Sequence, residues 1–359
     1  MSKLTSEMIK QEALRMGADL CGIASLDRFD GAPMQQDPRY IFPAAKSLIM
    51  LAFRLPRGYF RGIEEGTYFA AYSSMGYGGT NQVYGPVVLR DLCCFIEDYG
   101  WEAAPIPNIY LGANIVFHEQ KAGNNSIAVR EGVPNPDVLV DFRVAAFAAG
   151  LGEIGYSKVF LTPEFGPFQR FVGLLTDAEL EPDPIFEGGL CDKCKRCVKT
   201  CAGDAISATE TEFIEVAGHK CEWGKFDWKA CSQAYMGGTY EYNPFLKPGV
   251  DLSRDMPDTY HGIQLNKIEG STSPYGQLEP GTGVLADLSS YGGHLGHNQA
   301  VEGARGCMRE CYIHLEERGV LKRKFHNKFR SRAPWRISPE MRAEFDKSHE
   351  NSDYFGNEE

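Results

Sequence analysis

Apolar positions along the chain follow two periods, and each period names an element. From about Thr5 to Met16 the residues Met8, Ile9, Leu14 and Met16 recur at helical spacing, and Gly17 stands where the helix can stop. Leu20 to Ala24 reads as a short buried strand, and Ser47 to Phe53 is an unbroken apolar run of strand length. Val87 to Tyr99 returns to the helical period, with Leu89, Leu92, Cys93 and Ile96 inward and Gly100 at the end. Its cysteines, Cys93 and Cys94, are both read as core residues. Asn135 and Pro136 open a further helix, which runs through Ala145, Ala146, Ala148 and Ala149 to Gly150. Two strands follow, Ser157 to Leu161 and Phe171 to Thr176, joined by a turn over Thr162 to Pro167.

This alternation predicts a layered α/β or α+β domain up to about residue 180. After Glu181-Pro182-Asp183-Pro184 the composition shifts to a cysteine-bearing segment, which marks a second module. Residues 232–303 are rich in Gly, Tyr, Pro and Ser with little periodicity, as expected of a lid or an interface. The chain closes with a helical stretch near Gln299 to Arg318, a basic run from Lys322 to Arg336 and an acidic tail. The expected division is a core over 1–183, a module over 184–231 with 304–320, an insertion over 232–303 and a charged end over 321–359.

Composition narrows the classes. With 43% hydrophobic and 24% charged residues in 359, and no apolar run near the ~20 that a bilayer helix needs, the chain reads as soluble and globular. A formal net charge of −11 argues against a general nucleic-acid or anionic-membrane binder. Residues Met1 to Glu7 carry no signal-peptide apolar core and no twin-arginine pair, so a cytoplasmic location is expected. In that reducing compartment eleven cysteines point to metal ligation, redox chemistry or burial, not to structural disulfides.

One motif is misleading. Gly150-Leu151-Gly152-Glu153-Ile154-Gly155 matches the dinucleotide fingerprint by letter, but that fingerprint needs a strand before it and a helix after it. Here the order is inverted. The two readings left are a helix stop with a tight turn, and backbone packed against another flat or phosphate-bearing cofactor.

The cysteines carry the strongest signal. Cys191, Cys194, Cys197 and Cys201 form C-x2-C-x2-C-x3-C, the spacing of bacterial-type ferredoxins, with Ala202 in place of the usual proline. Three thiolates on one tight loop reach three irons of a cubane, and the fourth turns toward a second cluster; zinc would take two separated pairs. The later pair Cys307-x3-Cys311 mirrors the end of this run. The expected ligand sets are Cys191, Cys194, Cys197 and Cys311 on one 4Fe-4S cluster, and Cys201, Cys221, Cys231 and Cys307 on the other.

The block Ala148 to Gly155, continued by Leu161 to Pro167 and Leu174 to Asp177 and followed by the cysteine run, resembles the epoxyqueuosine reductase and reductive dehalogenase superfamily. Phe42 to Ser47 adds a looser likeness. The resemblance implies an α+β fold: a nitroreductase-like cobalamin-binding core with an appended ferredoxin-like module of two 4Fe-4S clusters. It implies base-off cobalamin, held beside Gly150, Leu151, Gly152, Gly155, Leu161, Pro163, Glu164, Phe165 and Gly166. It also implies reduction of a small organic substrate by dehalogenation- or deoxygenation-type chemistry, with electrons from a ferredoxin or flavodoxin. Two alternatives stand beside this: epoxyqueuosine reduction on tRNA, and a two-cluster electron carrier without corrinoid.

Reduction needs a proton donor and groups to hold substrate. Asp141, Arg143 and Tyr156 flank the glycine turn and are the catalytic candidates; a helix-surface pair and a core tyrosine are the bland readings of the same residues. Tyr68, Tyr72, Tyr77 and Tyr84 either line a pocket or pack. His294 and His297 read as loop polar groups or metal ligands. The basic run Lys322, Arg323, Lys324, Lys328, Arg330, Arg332 and Arg336 reads as a solvated face balanced by the acidic tail, with RNA or an acidic ferredoxin as other partners. Oligomeric state is not encoded in any of these features.

Overall fold

A computed structural model describes residues 3–68, 71–108, 127–228, 230–231, 234, 304–335 and 338–349. Most of the insertion, with His294 and His297, lies outside the described residues, as do Arg336, the side chain of Tyr77 and the end of the acidic tail. The elements begin with α1 (Ser6–Met16), β1 (Leu20–Ser25), β2 (Ser47–Arg54), α2 (Arg61–Glu65), α3 (Gly85–Asp98) and β3 (Ala103–Ile106). They continue with α4 (Phe142–Ala148), β4 (Glu153–Ile154), β5 (Phe160–Leu161), β6 (Gln169–Thr176), α5 (Arg196–Lys199), β7 (Ile206–Val216) and β8 (His219–Phe226).

The principal sheet has the order β1-β2-β6-β3, and every pair in it is antiparallel. Strand β2 is an unbroken apolar run because helices cover both faces of the sheet. Leu48, Met50 and Ala52 point to the side packed by α4, whereas Ile49, Leu51 and Phe53 point to α1 and α3. Mixed helices on an antiparallel sheet make this an α+β arrangement.

Three local expectations are corrected. The helix expected from Asn135 begins at Phe142, capped by Asp141, whose carboxylate accepts from the backbone N–H of Arg143 at 2.8 Å. Residues 135–139 are held instead by Gln35, whose amide donates to the carbonyls of Asn135 and Asp137, both at 2.8 Å. The strand expected from Ser157 contains only Phe160 and Leu161, because Lys158 takes a left-handed φ of 62° and closes a turn onto Gly155. Cys94 is exposed while Cys93 is buried, since neighbouring helix positions lie about 100° apart.

The segment after the insertion packs onto the first domain. The helix Arg309–Arg318 places Tyr312, Ile313 and Leu315 in one cluster with Leu55, Phe60, Leu161, Phe168 and Phe329. Phe168 stacks between Phe60, at 3.9 Å between centroids, and Tyr312, at 4.4 Å. Three residues of the basic run pair with acids of the chain: Lys322 with Glu164 at 2.7 Å, Arg330 with Glu64 at 2.6 Å and with Glu310 at 2.6 Å, and Arg332 with Glu65 at 3.5 Å. Lys322, Arg323, Lys324, Lys328 and Arg332 are nonetheless exposed, and the end of the acidic tail lies outside the described residues. Tyr72 is buried at 1% exposure, and its hydroxyl accepts from Arg170 and meets the sulfur of Met308, whereas Tyr68 and Tyr84 are exposed.

Candidate metal and redox site

The cysteine loop is built from its ends. Glu153, within the glycine motif, accepts through one carboxylate oxygen from the N–H groups of both Leu190 and Cys191, each at 2.6 Å. Beyond this anchor, Lys193 and Lys195 take left-handed φ of 56° and 57° on either side of Cys194, bending the backbone into a tight loop. Such conformations cost a non-glycine residue about 1–2 kcal/mol each and persist only where surrounding structure holds them. The holding contacts are Lys193 with Glu222 at 2.5 Å, Arg196 with Glu317 at 2.7 Å, and Asp192 with His314 at 2.8 Å. Removing the anchor by Glu153→Gln weakens two charge-assisted hydrogen bonds. The expected cost is about 2 kcal/mol in urea unfolding, with slower iron uptake on anaerobic reconstitution.

Cys191, Cys194, Cys197 and Cys311 line one small cavity together with Tyr156 and His314. Three come from a seven-residue loop and one from a helix more than a hundred residues later. Burial, and then the charges of Cys191, Cys197 and Cys194, raise the Cys311 thiol well above its usual range. The backbone N–H of Tyr156 donates to the Cys191 sulfur at 3.3 Å. Four thiols on one cavity, with an N–H aimed at sulfur, suit a polynuclear cationic centre that takes the charge of several thiolates. Beside them, ligand atoms of Asp192, Cys194 and His314 lie within 4.8 Å of one another.

A second group forms nearby. A Cβ at Gly203 would meet the Ala230 carbonyl at 2.6 Å, and one at Gly306 would meet the Thr200 carbonyl at 2.8 Å. These close approaches bring Cys231 and Cys307 beside Cys201, whose sulfur accepts from Ala205 N–H at 3.4 Å. Burial and then Cys201 push the Cys231 thiol up to about 12; burial and then Cys231 and Cys201 raise Cys307. Cys221 is placed elsewhere. It faces Ile214 across the β7–β8 hairpin and packs with Trp223, Val216 and Phe147.

Of the nine residues expected around a corrin, Gly150, Pro163 and Glu164 are half-buried and the other six are buried. A Cβ at Gly150, with φ of 73°, would meet the Pro184 carbonyl at 2.3 Å, and one at Gly152 would meet the Leu161 carbonyl at 1.9 Å. Gly166 faces Leu315 and Leu321. Gly150, Gly152 and Gly166 thus pack closely against the chain itself.

No protein-family model matches the chain. Among curated proteins it is 33% identical over 195 residues to the tetrachloroethene reductive dehalogenase of Sulfurospirillum multivorans, covering 50% of this chain and 33% of that protein. Over half of its length the chain is thus similar to a reductive dehalogenase. A shorter match, 42% over 65 residues, links 17% of it to 12% of the tetrachloroethene reductive dehalogenase of Dehalobacter restrictus. Among solved structures, a catabolic reductive dehalogenase aligns with a TM-score of 0.46 at 16% identity, covering 85% of this chain and 37% of that one. Epoxyqueuosine reductase from Bacillus subtilis aligns with 0.41 at 14%, covering 88% and 82%. The chain spans about a third of the length of the first of these dehalogenases.

Around the glycine turn, the catalytic candidates separate. Tyr156 is 4% exposed, and its hydroxyl donates to the Ser207 carbonyl at 2.9 Å, which fixes the ring beside the cysteine loop. Asp141 and Arg143 lie instead within electrostatic reach of Lys158, a residue the sequence reading passed over. Lys158 is 8% exposed, with its ammonium 4.6 Å from the Trp223 ring centre and 5.0 Å from that of Trp228. Burial lowers its pKa, and Asp141 partly opposes this. Its sequence signal was weak, since a lysine in a strand-like run looks like an outward-facing surface charge.

Proposed function

We propose that the chain is an iron-sulfur reductase that delivers single electrons, taken from a ferredoxin or flavodoxin, to a small organic substrate. The observation that carries this reading is the gathering of Cys191, Cys194, Cys197 and Cys311 on one cavity, beside a second group of three thiols. These residues would hold the clusters, which supply one-electron transfer and no bond chemistry of their own. Replacing a carbon–halogen or carbon–oxygen bond by carbon–hydrogen takes two electrons and a proton and releases the halide or oxygen group. Lys158, with Asp141 and Arg143, is the proposed polar group for orienting substrate and supplying that proton, and Tyr156 is the proposed positioning residue for Cys191.

Cobalamin enters from the sequence resemblance, and the closed glycine turn does not support contact there. That same observation favours a second reading, an electron carrier without corrinoid. Pairing of Lys322, Arg330 and Arg332 with acids of the chain reduces the positive charge open to phosphates and supports a small substrate over tRNA. The test is anaerobic halide release from haloorganic substrates with reduced viologen, with and without added corrinoid. Corrinoid-dependent release supports the reductase. Oxidation of the viologen only when an acceptor protein is present favours the carrier.

A further inference from the structure

We infer that the second cluster is held by three thiolates, Cys201, Cys231 and Cys307, and that Cys221 is a packing residue, leaving one cluster corner without cysteine. This rests on the two-cluster reading above. Cys201, Cys231 and Cys307 are brought together by backbone: Gly306 lies against Thr200 and Cys201, Gly203 lies against Ala230, and Asp227 N–H donates to the Ala205 carbonyl at 2.8 Å. Cys201 and Cys307 pack with Cys197 and Ile206 in one small apolar cluster.

Cys221 occupies the inward face of β8 with Trp223, two positions on, as strand alternation requires. Its companions Phe147, Val216 and Trp223 belong to the core on the α4 side of the sheet. Cys221 faces Ile214 across the hairpin. This is the environment of a small buried hydrophobe.

No other residue of the chain can complete the set as a thiolate. The remaining cysteines are Cys21, Cys93 and Cys94, on β1 and α3, and the sequence holds none between Cys231 and Cys307. The open corner therefore carries a non-thiolate ligand or lacks its iron altogether.

The experiment compares iron and sulfide content and Mössbauer spectra of the full chain, purified and reconstituted anaerobically, with Cys221→Ala, Cys201→Ser and Cys231→Ser. Cys221→Val serves as a volume-preserving control if the alanine variant fails to fold. The inference expects Cys221 variants to keep all their iron, Cys201→Ser and Cys231→Ser to lose about half, and one iron of the second cluster to be spectroscopically distinct or missing. Loss of about half the iron in both folded Cys221 variants overturns the inference and leaves the two-cluster reading standing. About four irons in the unaltered chain, unchanged by Cys201→Ser and Cys231→Ser, overturns both, because there is then no second cluster.

Discussion

Replacing Glu64 with alanine is expected to destabilise the protein by about 3–5 kcal/mol, the cost of leaving a buried charge without its partner. Glu64 sits on α2 at 8% exposure and accepts from Arg309, itself 2% exposed, and from Arg330 at 2.6 Å. Arg330 keeps Glu310 when Glu64 is lost. Arg309 does not fare so well, since its Nη1 already lacks a hydrogen-bond partner among the described residues. Arg309 opens the helix that carries Cys311 and follows Cys307 by two positions, so the same substitution should loosen iron retention. Denaturant unfolding measures the first effect, and iron retention during gel filtration the second. Replacing the pair with hydrophobes, Glu64→Leu with Arg309→Met, should recover most of the stability.

The same group sets an acid limit. Burial works to raise the Glu64 pKa, but Arg330 and Arg309 outweigh it and hold the carboxylate below its usual range. A carboxylate lowered on folding contributes its full stabilisation above the unfolded value of about 4.3 and loses it as pH falls through the folded value. The unaltered protein should therefore lose stability below about pH 4.3 more steeply than Glu64→Ala.

Cys311→Ser is the second substitution with a large expected effect. The cavity lined by the loop cysteines closes with a thiol from the far helix, and serine offers a weaker ligand to iron. About four irons per chain should be lost, together with reductive turnover, while the other group keeps its cluster. Asp192, His314 and Arg318 continue to tie helix to loop, so the fold should survive. Iron analysis with circular dichroism separates these outcomes: equal iron in the variant would remove Cys311 from the ligand set.

Much of the sheet was legible because its central strands are buried on both faces, which leaves an apolar run with no polar interruption. The helix at Phe142 was misread because proline at residue 136 mimics a helix start, while the true cap, Asp141, looked like a catalytic acid. The loop cysteines were legible because ligands on one tight loop must be closely spaced. Partners across the chain obey no such rule. Cys221 has the right residue type and sequence neighbourhood, yet strand alternation turns it into the core. Glu153 was hidden inside a glycine motif, and only the fold shows its carboxylate fastening the cysteine loop. Lys158 became visible only when the turn placed its side chain between two tryptophans.

The proposed two-cluster iron-sulfur state is directly measurable. Its most direct test is iron, sulfide, zinc and cobalt analysis of protein purified anaerobically and offered corrinoid. The account predicts about seven or eight irons with matching sulfide and no stoichiometric zinc, and cobalt near one per chain if the corrinoid-dependent reading holds. Four or fewer irons, or zinc in their place, would contradict it.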